Sequence, residues 1–171
     1  MAHPRDMVDR IAEQWQSVRP DLDVSPMLVV GRISRLSRLI DRQLAENFAR
    51  HGIDAWMYDV LATLRRNGAP YELAAGELVD QTMVTTGAMT NRIDRLEERG
   101  LVERDTSPTD RRKVVVRLTP VGLDLVDSVA GGHLETERRI LASLSTRQQE
   151  DLICHLRSLL VGLDDHAPND G

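Results

Sequence analysis

Apolar residues recur at helical spacing along most of the chain, and polar breaks divide them into predicted helices and two short strands. Residues Asp6–Val18 place Val8, Ile11, Trp15 and Val18 on one face. The loop 19–25 follows, and Ser25 then Pro26 reads as a cap followed by a first-turn proline. The helix from Pro26 to Arg50 carries Ile33, Leu36, Ile40 and Leu44 on one side, and His51-Gly52 ends it. Asp54 is placed to cap the next helix, which runs to Arg66 with Trp56, Val60, Leu61 and Leu64 inward. Asn67-Gly68-Ala69-Pro70 is a break. A short helix over 75–82, the turn Met83-Val84-Thr85 and a longer helix over Thr85–Gly100 come next.

That last helix is the stretch around which the pattern is organised. Met89, Ile93 and Leu96 form an apolar stripe. Thr90, Asn91, Asp94 and Arg95 lie on or near the opposite side at about 100° per residue. Thr85 or Thr86 supplies a cap, Gly100 suits the position past the end, and Gly87 and Ala88 keep the first turn low. Such a helix fits a DNA major groove, and it equally fits an ordinary half-buried position. Leu101–Arg104 then reads as a strand, Asp105–Lys113 as a polar tip, and the β-branched run Val114–Leu118 as a returning strand. Thr119-Pro120 opens a further helix that Gly131-Gly132 is expected to interrupt or bend. Ser145–Gln148 matches a capping box for a last helix to about Leu163, whose Ile153, Leu156, Leu159, Leu160 and Leu163 make a wide apolar face. A helix, strand, charged turn and strand in succession outline a mainly α fold with a small β-hairpin wing, the winged helix-turn-helix.

Charge changes this picture only locally. The net charge is −5 and the sequence pI about 5.5, which in total disfavours a nucleic-acid partner. The segment 109–117 nevertheless carries Arg111, Arg112, Lys113 and Arg117 against Asp110, while acids gather near Asp164, Asp165 and Asp170. Affinity for DNA depends on the charges at the contact, because neutralised phosphates release counterions there. Lys113 is the only lysine. Cys154, the single cysteine, permits no intrachain disulfide and fits a reducing cytoplasm. It reads as a buried inert thiol on the last helix, with oxidant sensing the alternative. His133-x-Glu135-x-Glu137 lacks helical ligand spacing, so neither a metal site nor a cofactor is expected. There is no signal-peptide core and no apolar run long enough for a membrane span. Nucleophile elbow, phosphate loop, HExxH and CxxC motifs are lacking, which argues against an enzyme.

The residues GAMTNRIDRLEERGLVER, then DRR, then VRLT-x-x-G resemble the MarR family of bacterial transcription regulators, over about Ile33 to Leu160. The resemblance implies one domain over 1–171. Within it, helices 6–50 and 120–163 would form a dimerisation region, and 54–119 a DNA-binding lobe. It implies a homodimer on a near-palindromic operator, with equivalent helices about 34–36 Å apart. Thr85, Thr86, Thr90, Asn91 and Arg95 are the DNA-binding candidates of the reading helix, the last four of them in the groove. Asn and Arg suit adenine and guanine edges. For Arg95 an intrahelical pair with Asp94 or Glu98 remains the alternative. Arg112 is expected in the minor groove, braced by Asp110, with Arg111 and Lys113 on phosphates.

The added N-terminal helix is similar to a urate-responsive subfamily. There a tryptophan, an aspartate and two arginines line an anion pocket. Matching by motif gives Trp15, Asp59, Arg92 and Arg104. Two residues separate Trp56 from Asp59, where the subfamily usually has Trp-Asp, so the effector is read as a urate-like purine or another small anion such as a tricarboxylate. Arg92 should point to the protein body from the flank of the stripe. The structural alternative has Trp15 as a hydrophobic anchor and Asp59 bridging Arg92 or Arg104. A helical interaction protein without DNA binding is the remaining class.

Overall fold

A computed structural model describes residues 4–106 and 113–165. The hydrophobic pattern becomes helices α1 (Met7–Val18), α2 (Ser25–Arg50), α3 (Ala55–Arg66), α4 (Ala75–Thr82), α5 (Thr86–Glu98), α6 (Pro120–Leu141) and α7 (Thr146–Gly162). Three strands accompany them, β1 (Glu72–Ala74), β2 (Val102–Thr106) and β3 (Val114–Leu118). The sheet is antiparallel with β3 central, pairing Leu73 with Val116 on one side and Val102 with Leu118 on the other.

Predicted caps form at Thr119, which accepts the backbone N–H of Gly122, and at Ser145, which accepts that of Gln148; Asp6, not foreseen as a cap, accepts those of Val8 and Asp9. At the start of α2 the expected Ser25 cap is replaced: Asp23 accepts both the Ser25 N–H and its hydroxyl. Strand β1 was not expected. Three residues are too few to show a period of two, and only pairing with β3 makes them a strand. The expected interruption of α6 at Gly131-Gly132 does not occur; the helix runs through. A Cβ on Gly132 would lie 2.4 Å from Asn47 Oδ1. The glycine therefore admits α2 rather than breaking α6. Asn47 is buried in that crossing and its Nδ2 donates to the Val129 carbonyl at 3.4 Å.

The core is continuous and lies in the middle of the chain. Phe48, Val60, Leu61, Leu64, Leu78, Met89, Ile93, Leu96, Val102, Val116, Val126 and Val129 all belong to it. Burial of side chains this size contributes about 1.5–3 kcal/mol each. The two ends differ. Helix α1 buries only Val8 and Ala12, against α2, and Arg32 ties it down through Asp6 and Asp9 at 2.8 and 2.7 Å. Helix α7 buries nothing, and Ile153, Leu156, Leu159, Leu160 and Leu163 are exposed. Ile33 and Leu36 on α2 are likewise exposed. Among the described residues no helix is long and apolar enough to cross a membrane, and no cluster of metal-ligating side chains exists.

Candidate nucleic-acid interface

Helix α5 is anchored by its apolar stripe: Met89, Ile93 and Leu96 are buried. Thr85 is the cap, its hydroxyl accepting the Ala88 N–H at 3.3 Å, so it is committed to the helix start. Gly100, at φ +67, turns the chain into β2 in the left-handed region that glycine adopts freely. Thr86, Thr90 and Asn91 are exposed, as expected of a groove-facing surface. The Thr90 hydroxyl donates to the Thr86 carbonyl at 3.0 Å, which leaves its oxygen free to accept.

Arg95 does not take the intrahelical pair that was its alternative to groove contact. It forms no intrahelical ion pair among the described residues. Its guanidinium lies 4.7 Å from the centre of the Trp56 ring, although the residue stays exposed. Arg92 lies 5.9 Å from the same ring. Trp56, expected simply to face inward, is thus a half-buried platform holding two arginines of α5, with its indole N–H donated to Asp54 at 3.2 Å. Sequence spacing gives no sign of this, because the partners come from different helices.

The hairpin is fixed to α5 by charge. Arg104 on β2 donates to Asp94 at 2.6 Å and to Glu97. The Arg104 guanidinium holds the Glu97 carboxyl below the usual carboxylate range. Arg117 pairs with Glu72 at 2.7 Å and with Glu103 at 3.4 Å, so it is neutralised by the sheet and does not add to the basic tip. Lys113 is exposed at the start of β3. Asp110, Arg111 and Arg112 lie outside the described residues.

The four expected anion-pocket residues separate within one chain. Arg92 does face the protein body, its side chain 24% exposed and 3.6 Å from Asp59. That distance is an ion pair without a proper hydrogen bond. The Arg92 Nη1 atom is buried with no hydrogen-bond partner. Burial pushes the Asp59 carboxyl above its usual range, with Arg92 and Arg66 pulling against it. Arg104, in contrast, is spent on Asp94 and Glu97. Trp15 stands on α1, which packs on α2, and is exposed beside Ile11 and Val18. Within one chain Asp59 and Arg92 meet, Arg104 braces the hairpin, and Trp15 stands on α1 against α2. Cys154, expected to be buried, is exposed on α7, which has no core to enter.

Comparison with known proteins agrees with this geometry. The MarR family model matches residues 51–113. The transcriptional regulator PecS of Dickeya dadantii is 42% identical over 163 residues, 95% of this chain and 96% of that protein. Among solved structures, a mutant MarR from E. coli complexed with operator DNA superposes with a TM-score of 0.72 at 26% identity, covering 81% of this chain and 99% of that one. Sco3205 from Streptomyces coelicolor, a MarR family regulator in complex with DNA, gives 0.75 at 26% identity, covering 83% and 89%.

Proposed function

Because the chain belongs to the MarR family of DNA-binding transcriptional regulators, we propose that it acts as a homodimeric repressor released by a small anion. Membership in that family removes the reading as an enzyme and as a helical interaction protein without DNA. The dimer rests on the uncovered apolar faces of α2 and α7, which a second copy would bury. Helices 6–50 and 120–163 then form the dimerisation region and 54–119 the DNA-binding lobe. Two copies of α5 enter successive major grooves of a near-palindrome, through Thr86, Thr90 and Asn91. Arg95 joins them by leaving its stack on Trp56. The hairpin tip, with Asp110, Arg111, Arg112 and Lys113, follows the adjacent backbone and minor groove.

The observation that carries the release mechanism is the buried Nη1 of Arg92, which faces Asp59 at 3.6 Å and has no hydrogen bond. A buried guanidinium donor without an acceptor is costly, and an anion seated there would satisfy it by a charge-assisted bond. Arg92 is part of the recognition helix, so its ligand acts directly on the reading surface. A ligand that favours one arrangement of the lobes over the other shifts their populations. A urate-like purine or a tricarboxylate such as aconitate has the required charge. Trp15 would join such a site only as the lobes and arms of the dimer are brought together, and Arg104 only by releasing Glu97.

The test is a gel shift on DNA upstream of the protein's own gene, with urate, xanthine, citrate and aconitate titrated in. The expected result is a retarded complex that one of these anions dissolves, with Arg92→Ala still binding DNA and no longer responding. A variant that releases DNA as readily as the parent would place the effector elsewhere.

A further inference from the structure

Two residues of the lobe hold a left-handed backbone without being glycine, and they differ in what they gain by it. Tyr71, at φ +62, recovers the cost inside the protein. Its N–H donates to the Gly68 carbonyl at 2.7 Å, its carbonyl accepts the Leu118 N–H at 3.1 Å, and its ring carries Arg65 5.0 Å away. Met83, at φ +54, is the left-handed residue that ends α4, which accounts for its backbone and not for its side chain. Its side chain is 84% exposed, the most exposed large apolar residue described. Glycine or asparagine would take the same conformation at lower cost. A long thioether placed in water where glycine would end the helix more cheaply has no account in the folding of the free protein. An outlier of this kind points to use in a complex.

Its place in the fold says which complex. Met83 is the first of the three residues between α4 and α5, directly after Thr82 and two before the Thr85 cap. Val84, next in the chain, turns inward and packs on the core, so the turn sets one apolar residue in and its neighbour out. In a helix-turn-helix the start of the second helix reaches base edges, which puts this turn at the mouth of the groove. Thr86 and Thr90 continue the same outer surface along α5. We propose that Met83 is a DNA-contacting residue, laying its thioether chain against apolar surface of the operator at the groove entrance. This rests on the DNA-reading role of α5. The apolar surface is either a thymine methyl group or the edge of a deoxyribose; both are reached from the groove wall, and the former would make Met83 a determinant of sequence preference.

The experiment measures operator affinity and thermal unfolding for the full-length protein, Met83→Gly and Met83→Gln. Met83→Gly removes the side chain and relieves the backbone together. A merely structural residue would therefore give equal or better binding on substitution. The expected result is an unfolding midpoint that holds or rises, with affinity falling about tenfold, the scale of a few buried methylene groups. Met83→Gln, of equal length and polar, should fall similarly. The slope of log affinity against log salt should stay unchanged, since no phosphate contact is lost. Repeating the titrations on operator carrying deoxyuridine for thymidine separates the two surfaces. Loss with the parent protein and none with Met83→Gly assigns the methyl group, and equal behaviour assigns the sugar. Unchanged affinity in Met83→Gly, or a reduced salt slope, overturns the proposal. A parent protein that fails to bind any duplex overturns the reading beneath it instead.

Discussion

The lobe around α5 and the helical arms at the two chain ends are built on opposite terms. In the lobe nearly every large apolar residue is covered: Leu61, Leu64, Leu78, Met89 and Leu96 are all but inaccessible. In α7 none is covered, though its apolar face is as wide as any in the chain. The same residue type, leucine, thus completes a core in one region and waits for a neighbour in the other. A stripe on a helix establishes that a face will be buried, and leaves open whether the covering surface belongs to the same chain. Exposed patches of this extent mark association surfaces. On the proposed function, the lobe reads DNA and the arms determine where a second lobe stands.

The comparison is broken most severely by charging the arm. Leu156→Glu with Leu160→Glu is expected to give a monomer by sedimentation with the lobe still folded. Operator affinity should fall by roughly a hundredfold or more, because a bivalent contact becomes a monovalent one. Attacking the other region has the reverse signature. Leu61→Ala, at a site with no solvent exposure, should cost about 2–5 kcal/mol in chemical unfolding. Association at low temperature should survive it. Arg112→Ala should lower operator affinity by more than about tenfold, about what one good base contact is worth, with a reduced salt slope. Unchanged binding at moderate salt would refute the wing assignment.

The smallest effect sharpens the lobe alone. Glu97 is held below its ordinary value of 4.5 by Arg104. A carboxyl lowered in the folded state contributes stability that is present above its unfolded value and lost as pH falls through the folded one. The clamp between β2 and α5 should therefore stay intact at neutral pH and weaken only below about 4.5. Glu97→Gln should flatten the acid side of the stability profile slightly. An identical acid limb in both proteins would show the clamp to be without weight.

Much of this was legible in the chain because the signals are local. Met89, Ile93 and Leu96 between Thr85 and Gly100 define α5 without reference to anything else, and Val114–Leu118 declares a strand by composition. The features that escaped depend on what comes near in space. Gly132 carries the same sequence signal whether a helix breaks or another packs closely, and only Asn47 decides between them. Strand β1 exists through its partner β3. Trp56 becomes a platform for Arg92 and Arg95 because α3 and α5 cross. Of the expected ligand residues, Asp59 and Arg92 meet since both face that crossing, while Arg104 found nearer acids in Asp94 and Glu97.

The central claim is that two lobes, set by their arms at a fixed spacing, grip one duplex together. It is tested most directly by mapping the operator and inserting five base pairs between its half-sites. That insertion turns one half-site to the opposite side of the helix, about half of a turn of 10–10.5 base pairs. Affinity should collapse to that of a single half-site and recover in part when ten are inserted. Binding that ignores the insertion would contradict the account.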